Sequence, residues 1–380
     1  MMKDYKKIFS ELIPAAMYSP SGRVSSGISN LIDFIFSTAI DLNASDIHFE
    51  PVENFLRVRY RIDGRLVEIH EPIPRRIQSD CLTRLKVLAR IDTTETHSPL
   101  DGRIRYDYDQ KRIDIRVACI PAHFGDVIVC RILDSSVQLK TIDELGMHAD
   151  TEKIFRRLIH EKSGLFVVVG SMGTGKSTTL HAALRDLNSS EIHIATLEDP
   201  IEQVIDGIDQ TEVTENLTFA AGLRALLRMD CNCLMVGEMR DSETAQISIR
   251  AALTGHLVLT TLHARDSFSA ITRLIEMGVE PYLLAATLIG TMSQRLVRKV
   301  CPHCHGIGCD KCRQSGFSGR IAIYEILPID EKIRESIKNF RDESDIRKAV
   351  ENFRTMYEDG LLRVDENLTT INELKYVLGS

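Results

Sequence analysis

The sequence predicts an α/β protein in which a mostly parallel sheet, flanked by helices, follows a smaller α+β domain. In the C-terminal part, short apolar runs alternate with helical patterns, an order typical of parallel sheets that bind ligands at the carboxyl ends of their strands. In the N-terminal part, runs that alternate at period two indicate antiparallel strands. A chain of 380 residues is long enough for more than one hydrophobic core.

The first segment, residues 1–27, is predicted to be a loose lead-in. It is weakly patterned, contains Pro14 and Pro20, and ends in a Ser/Gly cluster at 25–27. Its opening MMKDYKKIFSELIP has charges but no apolar core followed by small residues, so no secretory signal is expected there.

Residues 28–134 are predicted to form the α+β domain, and residues 135–145 the linker that follows it. Asp63-Gly64 is a hairpin signal after the alternating run FLRVRYRI. The predicted elements are a helix over 28–42, the hairpin strands, a helix over 77–91, and further antiparallel strands within GRIRYDYDQKRIDIRVACIPAHFGDVIVCRIL.

Residues 146–380 are predicted to form the larger domain, with a cysteine segment at 301–312 and C-terminal helices over 330–380. Its candidate strands are LFVVVG, EIHIATLED, CLMVGE and HLVLTTL. The longest apolar run, YLLAATLIGTM at 282–292, is too short to span a bilayer and is interpreted as a buried helix.

Composition limits the classes of partner and compartment. A net charge of −7 and a pI near 6.0 argue against a protein that coats nucleic acid. Five of the nine cysteines are scattered, which fits a reducing cytoplasm, and the other four are clustered.

The segment GSMGTGKS fits the phosphate-binding pattern G-x-x-x-x-G-K-[ST], and it lies between a predicted strand and a predicted helix. Lys176 is expected to reach the β- and γ-phosphates of a nucleotide, and Ser177 to bind Mg²⁺. The alternative, a chance glycine-rich turn, does not explain this strand–loop–helix context. The predicted nucleotide-binding residues are Gly170, Ser171, Met172, Gly173, Thr174, Gly175, Lys176, Ser177 and Thr178.

Later strands also end in polar residues suited to such a site. Glu198 and Asp199 end one strand, Glu238 follows the next, and His263 follows the third, which begins at His256. Acids at strand ends are common in solvent, but three successive strands beside a phosphate loop favour a catalytic set. For His256, a structural role is an equal alternative.

Four motifs in this order resemble the secretion ATPases that drive type II secretion, type IV pilus extension and competence pseudopilus assembly. They are the Walker A loop GSMGTGKS, the Asp box TLEDPIE, the Walker B segment LMVGEMRD and the His box TGHLVLTTLHA. SDIHFEP, DGRIRYDY, GFSGRIAIYEIL and TMYEDGLLRV extend the resemblance over nearly everything from Ile28 onward. It implies a RecA-like P-loop domain preceded by a PAS-like domain.

The resemblance also implies a function and partners. These are ATP hydrolysis with Mg²⁺, a homohexameric ring on the inner face of the cytoplasmic membrane, an inner-membrane platform protein as partner, and no direct nucleic-acid contact. In the family the Walker B strand ends in Gly-Glu, so Gly237-Glu238 is the expected form. The sequence MDCNC after Arg228 departs from the family pattern, with Cys231 and Asn232 in place of Pro and Asp, and activity is expected to survive this.

Further site residues come from the same resemblance. Arg224 and Arg228, with Arg103 and Arg116 of the preceding domain, are expected to bind phosphates, and the i, i+4 spacing of the first pair predicts one helix face. Glu198 and Glu238 divide the orientation of water and the support of Mg²⁺ between them, and which one is the base stays open.

The segment CPHCHGIGCDKC pairs two C-x-x-C knuckles, which together can supply four thiolates to a tetrahedral Zn²⁺. The predicted ligands are Cys301, Cys304, Cys309 and Cys312, and Gly306 and Gly308 permit the tight reversal between the knuckles. A redox-active pair and a nucleic-acid-binding knuckle are the alternatives, although the latter lacks an aromatic residue before Phe317.

The sequence is compatible with two rival functions: a pilus retraction motor, and a zinc-bearing nucleic-acid-binding protein switched by ATP. The cysteines and the SDIHFEP segment favour assembly over retraction. The chain is short for a type II secretion motor, and together with the compact cysteine cluster this favours a competence-type machine.

Overall fold

The structure is a computed structural model that describes residues 5–17, 26–95, 97–133 and 139–379. The chain divides into two units, residues 1–138 and residues 139–380. The division falls within the predicted linker 135–145, part of which lies outside the described residues. Each unit contains hydrophobic clusters of its own.

The first unit is an α+β domain with an antiparallel sheet in the order β3-β2-β1-β7-β6-β5, and β4 also pairs with β2. Burial alternates along β2, so one face of the strand belongs to the core. The elements are α1 (Tyr5–Met17), α2 (Ser26–Asp41), β1 (Asp46–Pro51), β2 (Phe55–Ile62), β3 (Arg65–Val67), β4 (Ile73–Pro74), α3 (Arg75–Leu88), β5 (Leu100–Tyr108), β6 (Lys111–Ile120) and β7 (Val127–Leu133).

The predicted loose lead-in over residues 1–27 is wrong for residues 5–17, which form helix α1, and for residues 26 and 27, which begin α2. The rest of that segment, residues 1–4 and 18–25, lies outside the described residues. Phe9 is fully buried, and its ring stacks on that of His70 with the centroids 3.7 Å apart. Phe9, Leu12, Ile13 and Ala16 have helical spacing and belong to, or pack against, the core of this unit. Pro14 lies inside the helix, and its breaking tendency concealed this pattern in the sequence.

The second unit has the predicted α/β fold. Its seven-stranded sheet has the order β10-β9-β11-β12-β8-β13-β14, in which only the last pair is antiparallel. The elements are α4 (Ala149–Ile159), β8 (Gly164–Val169), α5 (Lys176–Leu187), β9 (Ile194–Glu198), β10 (Asp209–Glu212), α6 (Phe219–Leu226), β11 (Cys233–Val236), α7 (Ser242–Leu253), β12 (Leu257–Leu262), α8 (Ser267–Glu276), α9 (Pro281–Thr287), β13 (Leu288–Val300), β14 (Phe317–Pro328), α10 (Glu331–Lys338), α11 (Glu343–Ala349), α12 (Met356–Asp365) and α13 (Ile371–Leu378).

The prediction of one buried helix over 282–292 is wrong in its second half. The run is helical only to Thr287, and from Leu288 it continues as β13, parallel to β8. Apolar periodicity does not separate a buried helix from a buried strand, and pairing with β8 decides for the strand here. Within the described part of the chain, no helix has the length and apolar character needed to cross a membrane.

Candidate nucleotide site and cysteine cluster

The phosphate loop joins β8 to α5 at the carboxyl edge of the sheet. Every residue of β8 is buried, and α5 begins at Lys176. Gly173 and Gly175 have φ angles of 75° and 90°, a region in which glycine is favoured. A Cβ atom at Gly170 would lie 2.5 Å from Thr174 Oγ1, so the close turn also requires glycine there. The predicted nucleotide-binding residues therefore form one loop and the first turn of a helix.

Lys176 folds back over this loop. Its Nζ donates to the carbonyl oxygens of Gly170 and Ser171, at 2.9 and 3.0 Å. Partial burial lowers the pKa of Lys176, although the charge of Glu238 opposes this. Ser177 is exposed on the first turn of α5, where a hydroxyl is suited to Mg²⁺.

Gln294 of β13 anchors the loop and the helix that follows it by hydrogen bonds, a role that no sequence motif indicates. Its Nε2 donates to the Thr174 carbonyl at 2.7 Å, and its Oε1 accepts from Thr179 Oγ1 at 2.8 Å. The side chain is almost fully buried. Only the position of a glutamine in an apolar strand could have indicated this, because its partners lie 115 and 120 residues away.

Glu238 lies beside the loop through His263. Its Oε1 is 3.0 Å from His263 Nε2, and His263 Nδ1 is 3.2 Å from the Gly170 carbonyl oxygen. Arg240 Nε donates to the other carboxylate oxygen at 2.8 Å, and Arg240 Nη1 donates to Asp199 at 3.2 Å. Gly237 extends the hydrogen-bond ladder between β11 and β9, because its N–H donates to the Leu197 carbonyl. Glu238 is therefore the first residue beyond this ladder, at the carboxyl end of β11.

Glu198 lies in a separate, buried network. Thr196 Oγ1 and Gln210 Nε2 donate to its Oε1 at 2.7 and 2.8 Å, and His181 Nε2 lies 3.0 Å from Oε2. Burial alone would raise the pKa of Glu198, but the hydrogen bonds from His181, Gln210 and Thr196 outweigh it and hold the pKa below its ordinary value. Since His181 is on α5, Glu198 contacts the helix that follows the phosphate loop.

The predicted arginines have different surroundings. Arg224 on α6 donates to Glu243 of α7 and forms an ion pair with it. Arg228 is exposed in the turn after α6, which ends at Leu226, so the prediction of one shared helix face is wrong. The helix ends early because Met229 and Arg228 close a turn onto the carbonyls of Leu226 and Ala225.

In the first unit, Arg103 and Arg116 are directly opposite each other on β5 and β6. They therefore share one face of that sheet.

In the second unit, His256 precedes β12 and its Nδ1 lies 3.1 Å from the Ala251 carbonyl oxygen. It is at the opposite end of the strand from His263, which favours the structural alternative.

The four clustered cysteines converge after β13. Their sulfur atoms all lie within 4.8 Å of one another. Gly306 and Gly308 have φ angles of 90° and 107°, and the Gly308 N–H donates to Cys304 Sγ at 3.3 Å. Four thiol sulfurs at this separation, with backbone N–H groups directed at them, suit a tetrahedral zinc ion. The residues are Cys301, Cys304, Cys309 and Cys312.

A glycine-rich loop between a buried parallel strand and a helix, with a histidine and a carboxylate from neighbouring strands at its mouth, defines a P-loop nucleoside triphosphatase. The profile of the type II/IV secretion system protein family matches residues 23–376. The chain therefore belongs to that family and is an ATPase.

Known proteins with similar sequences and structures agree with this. The chain is 41% identical over 359 residues to type II secretion system protein HxcR of Pseudomonas aeruginosa, covering 91% of this chain and 76% of the relative. It is 41% identical over 378 residues to type II secretion system ATPase E of Vibrio cholerae, covering 92% and 75%. The X-ray structure of the Legionella pneumophila ATPase DotB has a similar fold, with a TM-score of 0.73 at 23% identity, over 95% of this chain and 97% of that one.

Proposed function

We propose that the chain is the motor ATPase of an assembly machine of the type II secretion and type IV pilus class. The observation that carries the proposal is the contact of His263 with both the phosphate loop and Glu238, which gathers three of the four family motifs around one exposed loop. Both relatives described above are named as type II secretion proteins, which supports assembly over retraction.

In the proposed reaction, the loop and Lys176 bind the phosphates of ATP, and Ser177 binds Mg²⁺. Glu238 and Glu198 supply the carboxylate functions, one orienting the attacking water and the other supporting the metal. The position of Glu238 beside His263 favours it for work at the loop itself. One of the hydrogen bonds to the Glu198 carboxylate must be replaced by a hydrogen bond from water before Glu198 can accept a proton from that water. Arg103, Arg116, Arg224 and Arg228 contribute charge to the phosphates.

The cysteine cluster is proposed to hold one structural zinc ion. Zinc held by four thiolates leaves no open coordination position, so the ion would stabilise the segment after β13 without taking part in hydrolysis.

The motor is further proposed to work as a homohexamer in the cytoplasm, on the inner face of the cytoplasmic membrane. Its motion would act on an inner-membrane platform protein that adds pilin-like subunits to a fibre. Direct contact with nucleic acid is not part of this mechanism.

A deletion strain tests the proposal, with protein secretion, surface fibres and DNA uptake measured after complementation by the parent chain or by Lys176→Ala. Loss of one assembly function that only the parent restores is the expected result, and it identifies the machine. Fibres that accumulate because they fail to retract would contradict it in favour of a retraction motor. Turnover that requires DNA would contradict it in favour of a nucleic-acid-binding protein.

A further inference from the structure

A second cation lies beside the phosphate loop on the strand next to β8. In the parallel register of β13 and β8, Ser293 is the partner of Val169, the last residue of β8. Arg295 is two residues further along β13, at the level where the chain leaves β8 and turns into the loop. The register of the sheet therefore delivers an arginine to the carboxyl edge, next to the glycine that begins the loop.

The guanidinium of Arg295 lies close to the first glycine of this loop. A Cβ atom added to Gly170 would lie 3.2 Å from Arg295 Nη1. Nη1 donates to the carbonyl of Gln294 at 2.9 Å, and Nη2 donates to the carbonyl of Arg265 at 2.8 Å. Both partners of the guanidinium are thus neutral peptide groups.

Within the part of the chain that the structure describes, Arg295 forms no ion pair within 4.0 Å. The carboxylates of Glu325 and Asp266 attract its charge only from a greater distance. The carboxylates of Asp266 and Glu325 have other hydrogen-bond partners. Asp266 caps α8 through the N–H of Ser269 and pairs with Arg347. Glu325 accepts from the N–H groups of Ser267 and Met356.

Other arginines around the site differ in this respect. Arg224 is paired with Glu243, and Arg240 is paired with both Glu238 and Asp199. Only Arg295, among these three, is half-buried with carbonyl partners alone. Its neighbour Lys176 is also half-buried and also donates only to backbone carbonyls. The charge of Arg295 contributes to the lowered pKa of that lysine.

Lys176 donates to carbonyls of the loop and Arg295 to the carbonyls of Gln294 and Arg265, so two half-buried cations lie side by side with neutral hydrogen-bond partners. Their mutual repulsion would be relieved by an anion between them. A planar guanidinium is also well suited to phosphate oxygens. We propose that Arg295 is a phosphate-binding residue of the nucleotide site, acting with Lys176 from the adjacent strand. This inference rests on the proposed function, because it assumes that the loop binds ATP.

The test measures ATP binding, with Mg²⁺ present, to the full-length chain and to Arg295→Gln, Arg295→Lys and the control Arg334→Gln. Arg334 also donates to a backbone carbonyl, that of Ala285, but it is on α10 and outside the site. Arg295→Gln is expected to weaken ATP binding by about tenfold or more, as expected for loss of a charge-assisted contact. Arg295→Lys should recover part of that loss, because it keeps the charge, and Arg334→Gln should bind ATP normally.

A purely structural role predicts a different pattern. The melting temperature of each variant without nucleotide would then fall, while the folded protein would bind ATP with unchanged affinity. Lysine would not rescue such a role, since it cannot donate to two carbonyls in a fork. Unchanged ATP affinity in Arg295→Gln, or equal losses in the Gln and Lys variants, would overturn the proposal.

Lys176→Ala in the same assay separates this inference from the proposed function. If Lys176→Ala loses ATP while Arg295→Gln does not, only the inference about Arg295 fails. If both variants bind ATP normally, the loop is not the nucleotide site, and the proposed function fails with it. Inorganic tripolyphosphate as competitor is expected to displace ATP from the parent chain more effectively than from Arg295→Gln, because the interaction lies with the phosphates and not with the base.

Discussion

Glu198 ends β9 and Glu238 follows the neighbouring strand β11, yet their carboxylates have different neighbours. Glu238 contacts His263 and Arg240, and Glu198 contacts His181, Thr196 and Gln210. The two acids were predicted from the sequence because they follow apolar runs. Their separation into two networks was not predictable, because it depends on Gln210 and His181, which no motif singles out.

Lys176 is the residue on which nucleotide binding should depend most. Lys176→Ala removes a half-buried charge from the loop and is expected to weaken ATP binding by more than about tenfold. Equilibrium titration with ATP measures this, with Lys332→Ala, an exposed lysine paired with Glu351, as the control. Parental affinity in Lys176→Ala would mean that ATP binds elsewhere.

The two glutamates are expected to be separable by magnesium. Glu198→Gln and Glu238→Gln should each bind ATP and lose most turnover, since the grip on the phosphates belongs to the loop. If Glu238 supports the metal, its variant should also need more Mg²⁺ for half-maximal turnover, whereas loss of a base leaves that requirement unchanged. Turnover is measured across a magnesium titration. Near-parental turnover in both variants would remove these acids from the catalytic set.

At the scale of elements, the strands that lead directly into the nucleotide-site motifs were predictable from the sequence. The neighbouring strand β13, which carries Gln294, was not. Strands β8, β9, β11 and β12 are each marked by an apolar run and the residue that ends it. The first residues of β13, 288–292, have the apolar pattern of a buried helix, and the partner that makes them a strand, β8, lies more than a hundred residues earlier in the chain. Helix α1 is not predictable from its apolar spacing, because Pro14 lies inside it.

Strand β13 is expected to control the stiffness of the phosphate loop through Gln294. Gln294→Ala leaves the buried Thr174 carbonyl and Thr179 hydroxyl without this partner, a loss of roughly 1–3 kcal/mol in the free energy of unfolding. ATP affinity should fall as well, because the loop loses its anchor. Denaturant unfolding and ATP titration provide the measurements. Asn339→Ala, in which an amide that donates to its own helix is lost at α10, serves as the control. An unchanged stability and affinity in Gln294→Ala would show that the anchor is dispensable.

The segment after β13 is expected to require its metal. Purified chain should contain one zinc ion, and chelation or Cys304→Ser should make residues 301–316 sensitive to protease, because metal binding and local folding are coupled. ATP binding should persist, since the loop is held by β8 and by Gln294. Elemental analysis and limited proteolysis provide the measurements, and His303→Ala should retain the ion. Freely titratable thiols in zinc-free, protease-resistant protein would contradict the prediction.

At the scale of the whole molecule, the two units have separate cores. The cluster around Phe9, Phe36 and Tyr60 lies entirely within residues 1–138, and the clusters around β8 and β12 lie within 139–380. A unit with its own core can in principle fold alone. This division was visible in the sequence as a change from period-two runs to alternating strands and helices.

Residues 139–380 produced alone are therefore expected to fold and to bind ATP. Turnover should fall strongly, because Arg103 and Arg116 are proposed to contribute charge during hydrolysis and are absent from this fragment. Circular dichroism, ATP titration and phosphate release measure the three properties. The matched full-length variant is Arg103→Ala/Arg116→Ala, which should show the same loss of turnover with normal ATP binding. Full turnover by the fragment would show that these arginines are not needed.

The two edges of the seven-stranded sheet have a consequence for how copies of this chain can associate. Strand β10 is only four residues long and begins and ends with exposed acids, Asp209 and Glu212. On β14 at the other edge, the N–H of Tyr324 donates to the buried carboxylate of Asp359, and the carbonyl of Glu325 accepts from the hydroxyl of Ser267. Short charged edges and occupied backbone groups both oppose the addition of a further strand. Another copy of this chain is therefore discouraged from extending this sheet at β10 or at the middle of β14.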